Sequence, residues 1–504
     1  MSIARKKTRF TRLSFEKALL AETRALWMHV DMRRFVNGLF FGCLFGACIV
    51  SLNFHHSPPH TLREALGSAL LIVVASTIYT LYLVTFEPGK INAFRSIAAV
   101  GALSIMPVAA AIWFPSFNVP IYLVPVTMVA FIFGIVYSER TAIVLSLMLC
   151  LLVGISLQTT GSAAGLSGPQ SRPYDLMVIL FGGAAVAALG CGRIRKRSKL
   201  LKVGFYSSVI QIILIVGAKL RANEMITFDD FVLGVFNGVG WAALVTSALP
   251  LVEQAFKVAT GMRLLELSDQ SHPLLRRLSL EAPGTYHHSL ILGNLVESAG
   301  EAISANALLL RVGAYFHDVG KLMKPEYFVE NESLQGSMHA NLSPTMSALI
   351  ITAHTKDGVE LARENGLPEP IIDLIRQHHG TSLVEYFYHQ AKDLQEDGKV
   401  DEELFRHPGP KPMTREAGVL LLVDSVESAS RTLPSPTPSR IARQVHEIIN
   451  RKMMDGQLDE CELTLADVHK IEQNVIRSLT SVFHGRIKYP EPDAPLNGKE
   501  QNGR

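Results

Sequence analysis

RVGAYFHDVGKLMKPEYFVEN, residues 311–331, holds a His317-Asp318 pair inside a run whose apolar residues recur at three and four positions. That period predicts a helix over 307–322. Neighbouring residues on a helix point about 100° apart. His317 can therefore offer a metal its imidazole nitrogen, while the Asp318 carboxylate reaches the same metal and a second one. Lys321, four residues after His317 on the same face, can meet a phosphate oxygen. A His-Asp pair alone is a weak signal, because a chain of 504 residues can contain one by accident. The reading turns on what surrounds it.

Working outward, further ligand types stand at the ends of predicted helices: His288 in GTYHHS (284–289), His354 in ITAHTKDG (351–358), His378 and His379 in QHHG (377–380), and Asp424 in VDSVE (423–427). His287 competes with His288 for the first position. Five imidazoles and two carboxylates exceed what one metal needs. Imidazole suits iron, manganese, zinc or nickel, and a bridging carboxylate suits a metal pair. Two metals generate a hydroxide at neutral pH and clamp a phosphodiester during in-line displacement. Asp318 and Lys321 are the candidate catalytic groups; Lys321 and Arg431 are the candidate phosphate contacts. Asp357 and Glu427, about a turn from His354 and Asp424, are placed to orient those ligands. Tyr386 or Tyr388 can stack on a base or belong to the core. His339 and His389 read as solvated, and His446, His469 and His484 are given no role.

Helical periodicity also covers 289–303, 343–354, 358–365, 370–378 and 415–430, with Gly320, Pro325, Pro344, Gly358, Pro368 and Gly380 as breakers. Residues 251–280 read as one helix and 395–414 as a long polar loop. Convincing strands are few, so the half after Phe256 is expected to be all-α.

The other half lives in a different solvent. Hydrophobic residues make up 48% of the chain, and nearly all long apolar runs lie between Arg34 and Phe256. Runs near 34–54, 64–86, 96–114, 120–138, 141–158, 176–191, 204–219 and 229–250 approach the ~20 residues a bilayer span needs. The first is too long, and too poorly followed by a cleavage site, for a secretory signal. Its Gly38, Gly42 and Gly46 form a small-residue stripe that permits close helix packing. Basic residues crowd the segment before Phe35 and the loop Arg193–Lys202, with Lys90, Arg95 and Arg140 on the same side. Eight spans with both ends cytoplasmic fit that bias, although Arg172, Lys219 and Arg221 fall on the other side. No span carries the run of ionisable residues that marks an ion path, so an anchor or sensor is expected rather than a transporter.

The formal net charge of +3 gives no ground for a nucleic-acid polymer as partner. The five cysteines include no CxxC pair, which argues against thiolate zinc sites and a disulfide framework.

The stretches LLELSDQSHPLLRRLSLEAPGTYHHSL, RVGAYFHDVGKLMKPEYFVEN, ITAHTKDGVELARE, IRQHHGTSLVEYFYHQA, FRHPGPKPMTREAGVLLLVDSVESASR and DGQLDECELTL together span most of 264–465. They closely resemble the seven-transmembrane HD family of bacterial cyclic di-AMP phosphodiesterases. The resemblance implies a multi-pass protein of the bacterial inner membrane with a cytoplasmic all-helical HD-type domain. It implies hydrolysis of cyclic di-AMP to pApA at two divalent metal ions, iron or manganese. His288, His317, Asp318 and Asp424 would hold one ion; Asp318 would bridge to the other, held by His354, His378 and His379. Expected divisions are a basic cytoplasmic N-terminus (1–33), a membrane region of about eight helices (34–250), a linker helix (251–282), the HD domain (283–488) and a disordered tail (489–504). Partners would be a cyclic dinucleotide and the lipid bilayer, and a homodimer is compatible with the chain. Family members usually carry a large extracellular domain after the first span, where this chain has about ten residues, near Asn53 to Arg63. Two other functions compete: hydrolysis of another nucleotide such as cyclic di-GMP, and nucleotide reception without turnover. Against the first, Gly380 leads into Thr381-Ser382 rather than the GYP signature of the cyclic di-GMP branch. Against the second, no expected ligand is missing.

Overall fold

The computed structural model describes residues 32–59, 61–87, 94–160, 172–192, 194, 196–331, 338–395, 400–433 and 436–484. The basic N-terminus up to Asp31, Lys90, Arg193, Arg195 and the tail lie outside them. The chain forms two compact units, Met1–Met262 and Arg263–Arg504. Both are helical; among the described residues the only β pairing is an isolated bridge between Leu383 and Arg406.

The first unit contains α1 (Met32–His56), α2 (Leu62–Phe86), α3 (Phe94–Trp113), α4 (Val126–Val136), α5 (Glu139–Thr160), α6 (Pro173–Gly190), α7 (Arg197–Ala222), α8 (Phe228–Val235) and α9 (Trp241–Phe256). A π turn, Phe236–Gly240, joins α8 to α9 in one apolar stretch. Seven segments of this unit are long and apolar enough to cross a membrane. The sequence reading expects eight comparable spans; the one at 120–138 is shorter, a 3-10 turn at Ile121–Leu123 followed by the 11-residue α4. Pro120 and Pro125 interrupt it, since proline lacks the N–H and turns the preceding residue from the helical region. Only about 16 Å of α-helix remains against a hydrocarbon core of about 30 Å. All of α4 but Ile135 is buried, so its neighbours enclose it. The glycine stripe meets α2: a Cβ on Gly46 would stand 2.8 Å from the Val73 backbone, and one on Gly42 2.6 Å from that of Thr77. Thr80 Oγ1 adds a 3.0 Å hydrogen bond to the Gly38 carbonyl.

The single helix expected over 251–280 is divided: α9 ends at Phe256, and α10 (Gly261–Leu267) and α11 (Pro273–Glu281) follow. Lys257 closes α9 in the left-handed conformation (φ 53°), and Pro273 opens α11 where its missing N–H costs nothing.

Beyond these, the second unit contains α12 (Pro283–Ala302), α13 (Ala307–Phe316), α14 (Pro344–Glu364), α15 (Glu369–Gln377), α16 (Glu385–Leu394), α17 (Arg415–Ser430), α18 (Pro438–Met454) and α19 (Leu465–His484). Helix α17 is buried on nearly every face from Ala417 to Glu427, as an apolar sequence all round requires. Around it Leu292 and Val296 of α12, Leu310 and Ala314 of α13, Ile441 and Val445 of α18, and Ile471 and Val475 of α19 complete the core. Two expectations change here. The helix expected over 307–322 stops at Phe316 and resumes as a 3-10 turn, Val319–Met323. Gly358, expected to break a helix, lies within α14. The polar loop 395–414 contains a 3-10 turn, Glu402–Phe405, anchored by the buried Phe405.

Candidate metal centre

The break after Phe316 builds the site. His317 closes α13 in helical geometry, Asp318 leaves it (φ −106°, ψ 14°), and the 3-10 turn then passes against α14. Gly320 permits that approach: a Cβ there would overlap the His354 carbonyl oxygen. Gly358 answers from α14, where a Cβ would stand 3.2 Å from the Gly320 nitrogen and 2.9 Å from Ile375. Two glycines thus bring Asp318 beside His354.

Two nests of ligand types result, each with its atoms within 4.8 Å of one another: His288, His317 and Asp424 in one, and Asp318, His354, His378 and His379 in the other. Asp318 faces both. Its Oδ2 lies 3.2 Å from His317 Nε2 and 3.9 Å from His288 Nε2, while Oδ1 lies 3.4 Å from His354 Nε2 and 3.5 Å from His378 Nε2. Asp424 reaches His288 Nε2 (3.0 Å) and His317 Nε2 (3.8 Å) with Oδ1, and His379 Nδ1 (3.9 Å) with Oδ2. His317 Nε2 and Asp318 Oδ1 are buried without hydrogen-bond partners. Orphaned buried atoms of these types, converging from several helices, fit divalent cations.

The outer nitrogens are fixed in two ways. His317 Nδ1 pairs with the Ala314 carbonyl and His378 Nδ1 with that of Ile375, both at 2.7 Å, and His354 Nδ1 pairs with the Ile351 carbonyl. Each leaves Nε2 as the presenting atom. His288 Nδ1 instead meets Glu427 Oε2 at 2.6 Å, and Arg431 binds the other Glu427 oxygen at 2.8 Å. Glu427 therefore backs His288 rather than Asp424, its neighbour on the helix. Asp357 makes no bond to His354, whose Nδ1 is satisfied by the Ile351 carbonyl.

Electrostatics follow from burial and these partners. Burial disfavours charge on His288, but hydrogen bonds to Asp424 and Glu427 prevail and raise its pKa to about 10. His354 goes the other way, to about 4, through burial and the neighbouring His378. Burial pushes the Asp318 carboxyl up, yet the charges of His317 and Lys321 hold it well below its usual range. Asp424 is likewise held low by His288 against its own burial. Lys321, expected to face a phosphate, lies 2.8 Å from Asp318 Oδ2 and 2.6 Å from Glu330 Oε1.

His287 is exposed and His288 buried, which settles which of the pair faces the nests. Tyr386 is 73% exposed, whereas Tyr388 packs on Phe405 at 5.8 Å between ring centroids. His389 is exposed, and His339 is tied to the Tyr327 carbonyl at 2.8 Å. Sequence reading missed three residues. Glu330 pairs Lys321 and accepts from Thr285 at 3.0 Å. His407 stacks on His379 with centroids 4.3 Å apart. Lys452 joins Ser382 beside them. Glu330 and His407 lie in stretches already quoted for their resemblance, His407 as an imidazole before Pro408-Gly409-Pro410, whereas Lys452 carries no such signal.

The pattern of the family described as 7TM receptor with intracellular HD hydrolase matches residues 62–260, and that of the HD domain matches 285–429. The cyclic-di-AMP phosphodiesterase PgpH of Bacillus subtilis (strain 168) is 37% identical over 436 residues, covering 84% of this chain and 60% of its own. The protein of that name from Listeria monocytogenes serotype 1/2a (strain 10403S) is 33% identical, covering 85% of this chain and 59% of its own. This chain thus spans about 60% of the length of the relatives it matches. A crystal structure of the L. monocytogenes phosphodiesterase PgpH HD domain in complex with cyclic-di-AMP is 43% identical, covers 42% of this chain and 99% of that one, and has a TM-score of 0.41.

Proposed function

Because this chain belongs to the multi-pass membrane family with an intracellular HD hydrolase domain, we propose that it hydrolyses cyclic di-AMP to pApA at a dinuclear centre. The observation that carries this reading is Asp318, which turns one oxygen to each nest. His288, His317, Asp318 and Asp424 would hold one ion, and Asp318, His354, His378 and His379 the other; iron or manganese suits this mixed imidazole–carboxylate set. When bound, such a pair lowers the pKa of a water and neutralises charge on phosphate oxygens. The chain's own part is to hold that geometry. Backbone carbonyls fix the imidazoles of His317, His354 and His378, Glu427 fixes His288, and burial excludes bulk water. Lys321 neutralises Asp318 and Glu330 and so holds the carboxylate shared by the two nests in place. The adenine preference rests on the two relatives' names and their identity across most of this chain.

The membrane half would place this domain at the cytoplasmic face of the bacterial inner membrane. The matched region 62–260 contains seven helical segments only when the short Ile121–Val136 segment is included. With α1 before it, the chain would cross eight times and keep both ends cytoplasmic. Between α1 and α2 only five residues intervene, Ser57 to Thr61.

The test is hydrolysis by the full chain in detergent, supplied with manganese or ferrous iron. Selective release of pApA from cyclic di-AMP, absent in Asp318→Ala, is the expected result. Equal turnover of cyclic di-GMP would overturn the substrate, retained activity in Asp318→Ala would overturn the site, and tight binding without turnover would make the protein a receptor.

A further inference from the structure

Ser382 lies three residues after His379, and three contacts converge on it. Its amide donates to the His379 carbonyl at 3.0 Å, its carbonyl accepts from the His407 amide at 3.0 Å, and its hydroxyl accepts from Lys452 Nζ at 2.7 Å. His407 is 7% exposed, stacks on His379 at 4.3 Å and stands edge-on to His354 at 6.0 Å. Its Nδ1 is buried without a hydrogen-bond partner. Lys452, in the last turn of α18, is partly buried, and the Ser382 hydroxyl occupies one of the three donors of its ammonium. The carboxylates around it are already engaged: Glu385 by Arg451 at 2.8 Å, Asp455 by Arg406 at 2.9 Å, and Asp424 by His288.

A partly buried cation with free donors and no ion-pair partner is well placed to take an anionic ligand. Here that cation adjoins an imidazole with an unsatisfied nitrogen, which in turn stacks on a metal-ligand candidate. We propose that Lys452 and His407 form a second phosphate subsite, which holds the phosphodiester of the cyclic dinucleotide that is not being cut. The inference rests on the functional reading above. A cyclic dinucleotide carries two phosphodiesters, and the nests account for one. An ammonium with two open donors and a neighbouring ring nitrogen suit the other, because charge-assisted hydrogen bonds to phosphate oxygens are the strong ones. Lys321 cannot serve both, since it is committed to Asp318 and Glu330.

Two substrates separate this role from a structural one. Cyclic di-AMP has a second phosphodiester; bis(p-nitrophenyl) phosphate has one only. In the full chain loaded with manganese, Lys452→Gln should raise KM for cyclic di-AMP about ten-fold or more, the loss expected for a hydrogen bond to a charged group. Metal content and turnover of bis(p-nitrophenyl) phosphate should stay at wild-type values, and Lys452→Arg should restore KM. His407→Phe, which keeps the stacked ring and removes its nitrogens, should raise KM by a smaller factor. An unchanged KM in Lys452→Gln, an equal loss on both substrates, or loss of metal would each overturn the inference while leaving the catalytic reading intact. A wild type that cuts bis(p-nitrophenyl) phosphate but not cyclic di-AMP would defeat both.

Discussion

The two nests differ in what stands behind the imidazoles. In the nest of His354 and His378 the backing atoms are neutral carbonyls of Ile351 and Ile375, supplied by the same helical turn. In the nest of His288, His317 is backed in the same way by the Ala314 carbonyl, but His288 itself is backed by a carboxylate, Glu427, 139 positions further along the chain. A carbonyl fixes a tautomer without adding charge. A carboxylate also makes the imidazole more basic, which strengthens a metal bond but invites a competing proton. The pKa of His288 is raised to about 10 because Asp424 and Glu427 outweigh its burial, whereas burial and His378 take His354, which has no carboxylate behind it, down to about 4. His354 and His378 are fixed by local helix geometry alone; the other nest adds a tertiary contact at His288 and is the more sensitive to acid.

The largest effect should come from breaking the residue common to both. Asp318→Ala should abolish turnover and reduce metal content in both nests, measurable by elemental analysis of the purified protein; loss of a single ion would show that Asp318 does not bridge. Next comes Gly320→Ala, whose added carbon would displace the α14 backbone at His354. It should deplete the His354 nest and spare the other, so about one ion per chain should remain. Glu427→Gln should act on the opposite side, weakening the His288 site by about 10–100-fold. The two nests also predict different proton counts. At pH 7 His288 is protonated before metal binds and must lose that proton, whereas His354 is already neutral. Affinity at the first nest should therefore rise as pH rises toward about 10, with one proton released, while His354 contributes no release above about pH 4. Calorimetry in buffers of differing ionisation enthalpy would read this, and equal release at both sites would contradict the contrast.

The same contrast explains what the sequence made legible. Ligand types announce themselves when they fall beside helix breakers, as His317-Asp318 and His378-His379 do. Helical periodicity is strong in α15, and the other apolar runs are bounded by turn-forming residues, so the all-α architecture could be read directly. Gly358 was misread because a glycine that admits a neighbouring backbone looks, in one dimension, like one that ends a helix. The span at 120–138 is shorter than its apolarity suggests, because apolarity does not report the break that Pro120 and Pro125 impose. His407 and Lys452 were missed for a different reason. They lie 28 and 73 positions beyond His379, and only the fold brings them to Ser382.

The smallest effect, and the sharpest on the comparison, concerns Arg431. The sequence offered it as a phosphate contact, but the structure places its guanidinium 2.8 Å from Glu427, behind His288. It is 36% exposed there, so solvent screens the pair and its contribution should be modest. If it acts through Glu427, Arg431→Ala should lower metal affinity at the His288 nest by a few-fold and leave KM for the dinucleotide unchanged at saturating metal. If it grips the substrate instead, KM should rise at every metal concentration and metal affinity should hold. Combining Arg431→Ala with Glu427→Gln decides the matter: a relay through the carboxylate makes the double variant no worse than Glu427→Gln alone, because residues in contact that act in series do not add.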